Sequence, residues 1–148
     1  MLINNRKARY EYTLIEEYEA GIVLFGTEVK SIRLGNATIA DSFIYIKDNE
    51  VWVKNFYISQ YKESHALVKH EENRDKKLLL NKKEINKIRR KMEDKGTAVI
   101  ALGIFIKHNR LKMKIAVAKG KKDYDKKESI KLKDIKRELK RELKINIV

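Results

Sequence analysis

The chain has 148 residues and a mass of 17.5 kDa, the length of one ordinary domain, and it carries 35 Lys+Arg against 21 Asp+Glu, a formal net charge of +14, with no cysteine and no proline. Disulfide frameworks, thiolate zinc sites and cysteine nucleophiles are therefore excluded. The longest apolar stretch, Ala98 to Ile106, is less than half of the roughly 20 residues that span a bilayer, and Met1 to Lys7 lacks the basic-then-apolar order of a signal peptide, so a soluble, cytoplasmic protein with no membrane partner is expected.

Ala8 to Glu19 sets Tyr10, Tyr12, Leu14 and Tyr18 on one parity and Glu11 and Glu17 on the other, the period of a half-buried strand. Ile22 to Phe25, bounded by Gly21 and Gly26, predicts a second short strand. Thr27 is placed to N-cap a helix through Arg33, stopped by Gly35. Ser42–Ile46 and Val51–Ile58 around Asp48-Asn49 predict a hairpin. Residues 59–77 are polar and charged and predict a flexible surface loop. Asn81 followed by Glu84 forms a capping-box pattern, Leu80 and Ile85 stand at the staple positions, and Ile85, Ile88 and Met92 make one apolar stripe ending before Gly96. Thr97–Ile106 is apolar enough to be buried on both faces. Leu111–Lys119 alternates Leu111, Met113, Ile115 and Val117 with Lys112 and Lys114, after a turn at His108-Asn109-Arg110.

These segments predict a mainly β fold: a small closed, OB-like barrel of about six antiparallel strands over residues 1–120, with two packed helices. Residues 121–148 differ. Leu132, Ile135, Leu139 and Leu143 recur at helical spacing among charges, which predicts a basic tail that becomes helical when bound, or else a helix docked on the barrel.

The charge is uneven. Residues 1–60 are net −1, residues 61–118 net +9 and residues 119–148 net +6, an asymmetry that favours a polyanionic partner. No catalytic constellation, phosphate loop or metal pair stands out: His65 and His70 are five apart, and His108 falls in a turn. No enzyme activity, cofactor or metal is expected. Cations interleaved with rings fit nucleic acid better. Such clusters are Asn5-Arg6-Lys7-Ala8-Arg9-Tyr10, the strand pair Lys112 and Lys114, and Lys119 to Lys127 around Tyr124; each is also compatible with a solvated charged face.

Four stretches together resemble the SsrA-binding protein family (small protein B): Asn5–Tyr12; Phe25–Arg33 preceded by Tyr18–Gly21; Lys77–Ile85; and Ala116–Lys127. They occur in the family's order across nearly the whole chain. The resemblance implies a monomeric RNA-binding adaptor of trans-translation. Such an adaptor binds the tRNA-like part of transfer-messenger RNA and brings it to stalled ribosomes, with its tail at the decoding centre and in the empty mRNA channel. A general single-strand RNA-binding or ribosomal protein on the same barrel is the alternative. The resemblance ties Asn5, Tyr12, Glu19, Leu79 and Lys112 to RNA, and the basic clusters add Arg6, Lys7, Arg9, Lys114 and Lys119. Glu19 either accepts from base or ribose donors or is a buried structural group; Leu79 is either a contact or core. Gly120, Lys121, Lys122, Tyr124, Asp125, Lys126 and Lys127 match the ribosome-binding tail. Tyr124 stands where the family often has His, Lys127 where Arg is usual, and Asp75 where the family tends to be neutral. Lys127 lacks the bidentate fork of Arg.

Overall fold

The computed structural model describes residues 2–61 and 70–120. In chain order the elements are β1 (Ile3–Asn4), α1 (Arg6–Glu11), β2 (Tyr12–Ile22), α2 (Gly26–Arg33), β3 (Ala37–Thr38), β4 (Phe43–Lys47), β5 (Glu50–Lys54), β6 (Tyr57–Ile58), β7 (Lys76–Leu79), α3 (Lys82–Met92), β8 (Thr97–Lys107) and β9 (Arg110–Gly120). The main sheet runs β1-β8-β4-β5-β7-β2-β9, and β9 pairs back onto β8. Six antiparallel strands thus close into the expected barrel, with β1 laid along β8 and β3–β6 forming a separate pair.

The hairpins follow from local chemistry. Asp48-Asn49 and His108-Asn109 both take positive φ at two successive residues, the conformation of a tight two-residue turn whose twist matches the strands. Arg110 is not part of the second turn, because it already pairs with Lys107 in the ladder. Asn55, also at positive φ, divides the expected Val51–Ile58 strand into β5 and β6. Asn81 caps α3, accepting from the Glu84 N–H at 2.9 Å, while the Glu84 carboxylate takes the Asn81 N–H at 3.3 Å. Leu80 and Ile85 pack together with Met92 against the core. Gly35 and Gly96 end α2 and α3 regions at φ +79° and +83°, where a Cβ would be strained.

Four expectations need correction. Ala8–Glu11 is the end of a helix, not of a strand: the Asn5 side chain accepts from the Ala8 N–H at 3.2 Å and starts α1. The Ile22–Phe25 strand does not form, since β2 runs straight through Gly21 to Ile22. Thr27 does not cap α2; the N-cap is Phe25. The 70–77 part of the predicted loop is ordered structure, with Lys76 and Lys77 in β7 between β5 and β2.

Bulges decide which way side chains face. Register shifts occur between Leu14 and Glu16 in β2 and between Ala101 and Gly103 in β8. An extra residue inverts the alternation of a strand. Tyr18 and Ala20 therefore lie inside the barrel with Val99, Ala101, Met113 and Ile115. Tyr12 and Leu14, of the same parity in sequence, face outward. There they join Ala8, Ile100, Leu102, Ala116 and Ala118 in a second cluster under α1. This is why β8 is buried on both faces: the barrel core covers one side and α1 the other.

Candidate nucleic-acid interface

Where α1 ends its cover, the outer face of β2, β9 and β8 lies open. Residues opposite one another in a ladder point to the same face, so the register sets two rows of side chains. One row is Leu79, Gly21, Lys112 and Phe105; the next is Glu19, Lys114, Gly103 and Asn4. Glu19 reaches across β9 to Lys107, Oε2 to Nζ at 2.9 Å. Lys114 pairs with Glu17 at 3.1 Å. The hydrogen bond from Lys107, followed by the fields of Lys114 and Lys112, holds the Glu19 carboxyl below its usual range. It is an exposed anion surrounded by cations, so the buried structural reading of Glu19 does not hold. Leu79 is 53% exposed and is not core either. Its side chain lies over Gly21, where an added Cβ would meet the Leu79 Cβ at 3.2 Å.

The remaining candidates sit elsewhere. Asn5 is 4% exposed. Its Nδ2 donates to the carbonyls of Ala101 at 2.8 Å and Ile39 at 3.3 Å, and its Oδ1 holds α1. It ties α1, β8 and the β3–β4 connection together. Tyr12 is half-buried in the cluster under α1. Arg6, Lys7 and Arg9 are exposed on α1, with Lys7 3.6 Å from Asp41. Lys119 and Gly120 are exposed at the end of β9, opposite Thr13 and Tyr12. From Lys112 to Lys119 is about 23 Å along the strand, so the candidates fall into two separate groups. Lys121, Lys122, Tyr124, Asp125, Lys126 and Lys127, the expected tail helix and His65 lie outside the described residues. Sequence reasoning passed over Lys107, Arg33 and Arg110. The pairing of Lys107 with Arg110 across a two-residue turn was the available signal for two of them.

A family model described as SmpB protein matches residues 2–145. The chain belongs to the SmpB family. It is 48% identical over 145 residues to the SsrA-binding protein of Treponema denticola, covering 98% of this chain and 94% of the relative. It is 49% identical over 143 residues to that of Bacteroides thetaiotaomicron, covering 96% and 95%. A solved chain from work described as "tmRNA-SmpB: a journey to the center of the bacterial ribosome" superposes with a TM-score of 0.67 at 38% identity, covering 88% of this chain and 95% of that one.

In this SmpB-family barrel the Phe25–Arg33 stretch is structural at its start. The Glu28 side chain is fully buried; its Oε1 accepts from the Phe25 N–H at 2.8 Å and from Arg74 Nη2 at 2.6 Å. The Arg74 guanidinium lies 4.5 Å from the Phe25 ring centroid. Thr27, released from capping, bonds His70 Nδ1 at 2.9 Å, and His70 Nε2 donates to the Ile58 carbonyl at 3.0 Å. Lys76 is buried, donates to the Phe56 carbonyl and sits 5.0 Å from the Phe56 ring. Burial lowers its ammonium to about 8. These contacts hold residues 70–77, the described end of the expected loop, against the barrel. Asp75 likewise faces the protein, accepting from the Tyr45 hydroxyl at 2.7 Å.

Proposed function

We propose that this chain is a non-enzymatic RNA-binding adaptor of trans-translation that acts in the cytoplasm. It binds the tRNA-like domain of transfer-messenger RNA and brings it to stalled ribosomes. Membership of the SmpB family supports the reading, and the observation that carries it is the open face. There Leu79, Glu19, Lys112 and Lys114 converge from β7, β2 and β9, an exposed apolar contact beside cations and one acceptor. Cations meet phosphate and release counterions; the Glu19 carboxylate, kept ionised by its lysines, accepts from base or ribose donors. Asn5 and Tyr12 act on RNA indirectly, by holding α1 on the barrel. Among the described residues no helix is long and apolar enough to cross a membrane.

Residues 1–120 form the RNA-binding unit in this reading, and residues 121–148, with Gly120 at the junction, engage the decoding centre and mRNA channel. A gel-shift competition tests the first part. A transcript of the tRNA-like domain is expected to stay bound in excess unstructured RNA; equal competition would make the chain a general single-strand binder. Removing residues 121–148 is expected to leave that binding largely intact and to abolish peptide tagging on stalled ribosomes. Lost RNA affinity on truncation would sink the division of labour.

A further inference from the structure

Tyr45 on β4 and Trp52 on β5 are directly opposite in the ladder. Their neighbours Ile44, Val51 and Val53 are buried in the barrel, so by strand alternation both rings stand on its outer surface, half-buried side by side. They floor a hollow of about 320 Å³ walled by Lys47, Asp48, Glu50 and Asp75. Asp75 accepts from the Tyr45 hydroxyl at 2.7 Å, and Glu50 pairs with Lys77 at 3.0 Å. Asp48 is exposed and has no ion-pair partner among the described residues. The lining therefore sets three carboxylates against one lysine, in a chain of net charge +14. None of its residues belongs to the RNA face.

An aromatic face attracts a cation through its ring quadrupole, and carboxylates around it select for positive charge. A phosphate would meet three like charges, and a second copy of this chain brings its own +14. We propose that the hollow docks an arginine from a basic segment of a ribosomal protein, its guanidinium stacked on Trp52 and bonded to Asp48 and Glu50. Arginine is favoured over lysine because its planar fork stacks on an aromatic face, bonds a carboxylate through two N–H groups and gives up less hydration. Glu50 can serve Lys77 and the newcomer together, since a carboxylate has roughly four acceptor sites. The inference rests on the ribosome-directed function proposed above and adds to it a protein contact on β4 and β5.

Trp52 is the only tryptophan of the chain, so its emission reports on the hollow alone. The full chain, without RNA, is titrated with the blocked peptide Gly-Arg-Gly-Arg-Gly and with its lysine and glutamine counterparts. A saturable change is expected with the arginine peptide, about threefold weaker half-saturation with lysine, and no change with glutamine. Asp48→Asn combined with Glu50→Gln should weaken the arginine response about tenfold and leave the gel shift of the tRNA-like transcript unmoved. Both side chains reach solvent, and unchanged thermal midpoints check folding. No arginine response, an equal response to all three peptides, or a response that survives in the double variant would overturn the proposal. A second arm identifies the source. With p-benzoylphenylalanine at position 52, the full chain bound to transfer-messenger RNA and stalled ribosomes is expected to crosslink to a ribosomal protein on irradiation. A crosslink to RNA, to a second copy or to residues 121–148, or none at all, would overturn it. Failure of the chain to bind the transcript would instead sink the functional reading, and the ribosomal source with it; the peptide titration runs without RNA, so the two failures are distinguishable.

Discussion

Two clusters of charge in this barrel have nearly the same composition and opposite circumstances. Glu28, Arg74 and Lys76 are packed between α2, β7 and the 70–75 segment, with Glu28 and Lys76 at 0% exposure. Glu19, Lys107, Lys112 and Lys114 lie on the open face, with the Glu19 and Lys107 side chains about half exposed. In the first cluster Glu28 answers Arg74, and Lys76 answers the Phe56 carbonyl. In the second, water reaches the charges, so an incoming polyanion can replace water at little cost. Charge in a sequence does not separate these uses. Burial does, because removing one partner of a buried pair leaves an unsolvated charge, whereas an exposed ion simply rehydrates.

Mutation should separate the clusters sharply. Glu28→Ala strands the Arg74 guanidinium and frees the Phe25 N–H, and is expected to cost about 3 kcal/mol or more. Glu19→Ala should leave the urea midpoint where it is and change RNA affinity instead. Equal losses of stability would erase the distinction. Asn5→Ala comes next. It removes two buried bonds and a helix start, and about 2 kcal/mol of destabilisation is expected. RNA affinity measured at low temperature, where the variant is folded, should fall less than for Lys112→Ala; the reverse order would make Asn5 a direct contact.

Lys112→Ala is expected to weaken binding of the tRNA-like transcript about tenfold and to lower the salt slope by roughly one, with the denaturation midpoint unmoved. An unchanged slope would remove Lys112 from the interface. A further effect concerns pH. The folded Lys76 ammonium titrates near 8, below its ordinary 10.5. Between those values the native state has released a proton that the unfolded chain keeps, so stability rises with pH through that window. Urea midpoints of the wild-type chain should therefore gain on those of Lys76→Met between about pH 8 and 10.5. A constant difference would place the ammonium in water.

Legibility in the sequence followed the range of the interactions. The α3 start was readable because Asn81 and Glu84 are three residues apart and complete their bonds between themselves. The β7 strand was not, because Lys76 and Lys77 look like solvated residues until Phe56 and Glu50 are brought to them from 20 and 27 positions away. The resemblance to the family singled out Glu19, Leu79 and Lys112 as positions, but only the ladder placed them on one face. Asn5 and the half-buried Tyr12 pack beneath and beside α1.

The sequence by itself determined the closed antiparallel barrel, its Asp48-Asn49 turn, the capped helix and the family. These depend on alternation, turn residues and motifs that act over a few positions. Tertiary structure alone decided which lysines and glutamates are buried and which are open, and which side of each strand faces the core. A single bulge at Ile15 or Leu102 inverts every side chain beyond it.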